Sequence, residues 1–187
     1  MRVLLDVTDL VEFLQRRESA SGVQRVVAQT VPLLAEAPET TCVFLDRSRG
    51  VFIALTGDEH ALLIGQGARA GSTASPETLA EAAVRTLGRG TTAAPTSIDD
   101  ETVLVFLGAL WINDALMTAA RSAHAAGARI VSLLYDLTPV LDTGHTAAVN
   151  KLFDRYLTLL IDTASRVPAI SVSSRTDFER YASDHGA

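Results

Sequence analysis

Runs of consecutive apolar residues take turns along this chain with segments whose apolar positions return every three or four residues. Thr102-Val-Leu-Val-Phe-Leu107 is such a run, followed by a turn at Gly108, a helix-spaced segment from Ile112 to Ala126, a stop at Gly127 and a second run from Arg129 to Tyr135. The pattern predicts a strand-helix-strand unit, and such crossovers between parallel strands are almost always right-handed. Strands apolar on successive residues fit a sheet covered by helices on both faces. Ligands bind beyond the carboxyl ends of such strands, which directs the search to Gly108–Asp114 and Tyr135–Pro139.

The rest of the chain repeats the alternation. Arg2–Val7 reads as a strand ending in the acidic pair Asp6 and Asp9, and Gln15–Gly22 as a polar loop. Val23, Val26, Val27, Thr30, Val31 and Leu34 then recur at helical spacing, with Pro32 expected to kink or end the helix. Thr41–Leu45 and Val51–Leu55 read as strands that pair as a hairpin or extend a sheet edge. Gly65–Gly71 has glycines one residue too far apart for a dinucleotide fingerprint and reads as a loop. Ser75-Pro76-Glu77 starts a helix that Gly88 closes, and Gly90–Ser97 is a small-residue linker. A long amphipathic helix runs through Val149, Leu152, Phe153, Tyr156 and Leu160 to Thr163. Val167–Val172 reads as a strand, and Ser174-Arg-Thr-Asp177 as the capping box of a last helix ending near Gly186.

Composition narrows the functions. A chain of 187 residues is long enough for one domain with an ordinary core. The net charge of −6 and the scattered basic residues argue against nucleic acid as a partner. Cys42 is the single cysteine, so neither a disulfide framework nor a cysteine zinc site is expected. His60, His124, His145 and His185 show no metal-ligand spacing. No apolar run has the length of a membrane span, and the reading is cytoplasmic. The loop with Ser21-Gly22 at a helix start is a generic anion site or an ordinary helix entry.

Leu4-Leu-Asp-Val-Thr-Asp-Leu10, Ser21-Gly-Val-Gln-Arg-Val26, Gly108-Ala-Leu-Trp111, Leu134-Tyr-Asp-Leu-Thr-Pro139 and Ile170-Ser-Val-Ser-Ser-Arg-Thr-Asp-Phe178 together resemble the amino-terminal half of group 1 glycosyltransferases. The resemblance covers Val3 to Tyr181 and implies a retaining enzyme of the GT-B architecture, built from two Rossmann-like domains across a cleft. This chain would be the first, an α/β three-layer sandwich with a mainly parallel sheet spanning residues 1–187. The second, donor-binding domain is absent, so the chain is expected to be a fragment or expressed domain, inactive alone. The implied partners are a nucleotide-sugar, a saccharide or other hydroxyl acceptor and the missing carboxyl-terminal domain. No cofactor or metal is expected, and peripheral membrane contact is left open, at the inner face in a polysaccharide-forming system.

The resemblance assigns residues too. Gly22 would bring its N–H to the donor diphosphate, stabilising charge on the leaving group. Asp136 stands where relatives carry a His-Asp pair, with Tyr135 in place of that His; it would orient an acceptor hydroxyl. Acceptor contacts fall to Asp9, Gln24, Arg25, Trp111 and Tyr135. Read without the family, Asp136-Leu-Thr-Pro139 is equally a turn. Trp111 and Tyr135 read more as packing residues with a satisfied polar tip than as sugar platforms, Asp6 and Asp9 as caps or solvating the first loop, and Arg25 as half of a surface ion pair rather than a phosphate contact. Ser173 and Ser174 read as helix caps. The alternative function is a non-catalytic binding or interaction domain of flavodoxin-like topology. A nucleotide hydrolase is disfavoured because the phosphate-loop lysine pattern is missing.

Overall fold

The computed structural model describes residues 1–16, 21–65, 74–141 and 144–186. Its strands are Arg2–Asp6 (β1), Thr40–Asp46 (β2), Val51–Ala54 (β3), Thr102–Phe106 (β4), Arg129–Ser132 (β5) and Ala164–Arg166 (β6). They form a 6-stranded sheet in the order β3-β2-β1-β4-β5-β6, parallel except for the β2–β3 hairpin. The helices are Thr8–Arg16 (α1), Gly22–Leu34 (α2), the single turn Gly57–Glu59 (α3), Pro76–Arg89 (α4), Asp114–Ala125 (α5), Thr138–Leu141 (α6), Ala147–Thr163 (α7) and Val172–Asp184 (α8).

Successive residues of a strand point to opposite faces, so each apolar run feeds two cores. Leu5 of β1 and Cys42 of β2 pack with Leu10, Val27, Val31 and Ala83 of α1, α2 and α4. Leu4 and Leu104 pack on the other side with Met117, Phe153 and Leu160 of α5 and α7. This is a three-layer α/β sandwich with a mainly parallel sheet, as the consecutive apolar runs required. The parallel strands alone, counted along the chain, lie in the order second, first, third, fourth, fifth, and the order reverses between β1 and β4. In doubly wound sheets the binding crevice opens at that reversal.

Several elements differ from the sequence reading. α1 was not foreseen; the stretch after Asp6 is a helix, and the polar Gln15 and Arg16 are its last turn. Thr8 opens it by donating its N–H and hydroxyl to Asp6 Oδ1, at 3.3 and 2.5 Å. Pro32 lies inside α2, which stops soon afterwards at Leu34. Gly88 is still helical and α4 ends at Arg89, while of Gly65–Gly71 only Gly65 is among the described residues.

The last strand is Ala164–Arg166, directly after α7, and only Ala169 of the expected Val167–Val172 strand bridges the sheet, to Leu134. Ser171 overrides the apolar run there. Its hydroxyl accepts the Ser174 N–H at 3.0 Å, so the last helix begins at Val172 and Ser171, rather than Ser173 or Ser174, is the cap.

Candidate functional site

At the order reversal, β1 and β4 end side by side, with Asp6 in register with Phe106. Asp9, in the first turn of α1, links the chain beyond β4 to the start of α2. Its Oδ2 accepts the Ala109 N–H at 3.4 Å, and its Oδ1 accepts from Gln24 Nε2 at 3.5 Å. Gln24 in turn closes a capping box with Ser21: the Ser21 N–H donates to Gln24 Oε1 at 2.9 Å and the Gln24 N–H to Ser21 Oγ at 3.4 Å. Gly108 makes room for this bridge, because a Cβ there would lie 2.8 Å from the Asp9 Cβ. One carboxylate thus ties α2 to the turn that carries Trp111.

Beside this bridge opens a cleft of about 620 Å³ over the carboxyl ends of β4 and β5. α2 contributes Gly22, Val23 and Val26 and its cap Ser21; the turn after β4 contributes Trp111. The segment after β5 adds Tyr135, Asp136, Thr138 and Pro139, and the far side is made by His145, Phe153 and Ile170. Trp111 is half-buried against an aromatic cluster, with ring centroids 6.0 Å from Tyr135, 5.4 Å from Phe153 and 5.5 Å from Tyr156. Edge-on and tilted ring contacts of this kind fix orientation as well as burying area.

The supports of the cleft are hydrogen-bonded from behind. The Tyr135 hydroxyl donates to the Leu107 carbonyl at 2.6 Å, and the Tyr135 carbonyl accepts from Ser174 Oγ of α8 at 2.6 Å. Burial, with a smaller contribution from Asp9, raises the Tyr135 hydroxyl to about 12, so it is a fixed donor and no proton shuttle at neutral pH. Tyr156 is likewise raised by burial. Asp136 is exposed; its Oδ1 accepts the Thr138 N–H at 3.0 Å, and no other hydrogen bond engages the carboxylate among the described residues.

Of the residues singled out in the sequence, Gly22, Trp111, Tyr135 and Asp136 line this one cleft. Asp9 and Gln24 stand behind its wall and hold the wall together, and Arg25 is exposed and outside the lining. Asp136 closes a turn and also lines the cleft. Trp111 and Tyr135 both pack and line. Unforeseen were Val23, Val26, His145, Phe153 and Ile170. His145 and Ile170 each sit just before a helix cap, Thr146 and Ser171, a position that points to the rim only once the preceding strand's direction is known.

Cys42 is buried and its thiol is pushed up to about 12 by that burial, which makes it a core residue and no nucleophile. Among the described residues no group of three or more His, Cys, Asp or Glu is arranged to hold a metal ion. Nor is any described helix long and apolar enough to cross a membrane. Comparison with protein-family models, curated proteins and solved structures finds no match.

Proposed function

We propose that this chain is the acceptor-side half of a retaining glycosyltransferase that uses a nucleotide-sugar. One observation carries the reading: Gly22, Trp111, Tyr135 and Asp136, from three separate motifs of the resemblance, line one cleft at the carboxyl end of a parallel sheet. In this reading the acceptor oxygen bonds to the anomeric carbon as that carbon's bond to the diphosphate oxygen breaks. The hydroxyl proton leaves with the nucleoside diphosphate or to solvent. Asp136 orients the hydroxyl, and the Gly22 N–H at the start of α2 faces the charge that builds on the leaving group. Catalysis is then positioning and charge stabilisation, and no protein nucleophile is required. The donor's nucleotide is held mainly by a second domain, and the enzyme works on the cytoplasmic side, where a membrane surface is compatible with it.

A chain carrying both halves, supplied with a panel of nucleotide-sugars, tests this through release of nucleoside diphosphate. A Cβ at Gly22 meets no atom within 4 Å, so Gly22→Val leaves the fold intact while filling the approach to the N–H. It is expected to lower kcat/KM about 10²-fold, the usual cost of losing one such donor, and Asp136→Asn about 10- to 100-fold. Turnover of no donor, or equal turnover by both variants, would refute the reading. The second reading, a non-catalytic binding domain, draws on the flavodoxin-like order of the parallel strands, and it predicts ligand binding at the cleft with no turnover.

A further inference from the structure

We infer that the cleft takes an acceptor with an apolar body and a single hydroxyl head rather than a free saccharide. The inference rests on the reading of this cleft as the acceptor site. Its first support is the make-up of the lining among the described residues, where Val23, Val26, Trp111, Pro139, Phe153 and Ile170 are apolar. A sugar ring presents a hydroxyl on most of its carbons, and each one left unpaired on burial costs about 1–3 kcal/mol.

The polar side chains on offer are few and partly engaged. Ser21 Oγ is occupied by the Gln24 N–H, and Asp136 already gives one oxygen to the Thr138 N–H. Among the described residues what remains is the rest of the Asp136 carboxylate, His145 and the Thr138 hydroxyl, three polar side chains against a larger apolar lining. The apolar part of the lining includes Trp111, whose ring packs on Phe153, and Val26 of α2.

The second support is the rim. Ile112 (54% exposed), Leu141 (58%), Ile170 (53%) and Val172 (70%) each lie within two residues of a residue lining the cleft or line it themselves. Exposed large side chains next in the chain to a pocket of small-molecule size, with Ile170 in its lining, suit a chain or fused-ring ligand longer than the cavity.

Trp111 is the only tryptophan, so its emission reports on the cleft alone. The test titrates the chain with 1-octanol, with maltose and with phosphatidylcholine vesicles while following that emission. Octanol is expected to saturate with a Kd below about 1 mM, and maltose to change nothing at about tenfold higher concentration. Val26→Glu, which puts a charge into the apolar wall, is expected to weaken octanol at least about tenfold with an unchanged circular dichroism spectrum. Ile170→Ser, exposed and harmless to folding, is expected to weaken it about threefold.

Saturable maltose binding as tight as octanol's would overturn the proposal. So would an octanol response that does not saturate or that survives Val26→Glu, or a response to vesicles without one to octanol, which would mean a lipid-surface contact. None of these outcomes touches nucleotide-sugar turnover, which judges the transferase reading separately.

Discussion

Two hollows lie at the carboxyl end of the sheet, on either side of β1, and they differ in what their polar groups are doing. The one beyond β2, about 380 Å³, is the more charged: Glu12, Arg16, Asp46 and Arg47 all line it. Most of those charges answer one another, although the buried Asp46 Oδ2 has no hydrogen-bond partner among the described residues. Glu12 holds Arg47 at 2.6 Å and Arg16 at 3.3 Å, while Asp46 accepts from Ser48 and lies 3.5 Å from Arg49 Nε. The cleft beyond β4 carries fewer polar groups, but Asp136 and His145 face the open space, above an aromatic wall. The difference teaches that charge density alone is a poor mark of a binding site. Unspent hydrogen-bonding capacity beside a built apolar surface is the better one.

The comparison can be broken at its strongest point first. Phe153 is buried and supports Trp111, so Phe153→Ala is expected to cost about 3–5 kcal/mol in urea unfolding and to shift the Trp111 emission. A cost under about 1 kcal/mol would mean that the aromatic wall is not a packed structure.

Between the hollows lies Asp6, fully buried under both. Burial is the largest cause raising its carboxyl from 3.8 to about 7; the Thr8 hydrogen bonds oppose it, and Asp9 and Glu12 add to it. An acid with a higher pKa folded than unfolded binds its proton more tightly in the fold. Its contribution to stability is therefore complete below the unfolded value of 3.8 and is lost as pH rises through about 7. Asp6→Asn keeps an acceptor for Thr8 but does not titrate. It is expected to remove on the order of 2 kcal/mol of the fall in stability between about pH 5 and pH 8, measured by denaturation at each pH. An unchanged pH profile would show that Asp6 is ionised in the fold.

Gly108→Ala sharpens the role of the bridge. The added carbon would meet the Asp9 Cβ at 2.8 Å, so the variant is expected to lose about 1–2 kcal/mol and to disturb the Trp111 environment through Ala109. Asp9→Ala in the Gly108→Ala background removes the Oδ2 and Cγ that would lie 3.0 and 3.3 Å from the added carbon and should recover part of the loss, and no recovery would remove Asp9 from the account. The smallest effect belongs to the charged hollow. Arg47 is half-exposed, and Arg47→Ala is expected to change stability by under about 1 kcal/mol. A larger loss would mean that this hollow is a buried ion network, erasing the contrast with the cleft.

How legible this arrangement was depended on distance along the chain. The placement of Trp111 and Asp136 was readable because each follows a strand whose apolar run and crossover helix are local patterns, and parallel strands send their next residues to one rim. Asp9 was assigned an acceptor contact only by the resemblance, while the residues alone read as a cap. Its actual partners, Ala109 and Gln24, are 100 and 15 residues away, and nothing in the local pattern names them. Ser174 likewise read as a cap, though its hydroxyl reaches the Tyr135 carbonyl, 39 residues back. The helix α1 was missed because Asp6 ends one element and starts the next within two residues, which leaves no loop to mark the change.

Taken alone, the order of apolar and polar residues determined the layers, the parallel sheet and the rim on which a site would form, since period and run length act between near neighbours. Which polar groups on that rim are consumed by the fold and which stay available was decided only in three dimensions. Hydrogen-bond satisfaction is settled among atoms brought together from distant parts of the chain, and a carboxylate such as Asp9 or Asp136 becomes a brace or stays open to the cleft according to what arrives beside it.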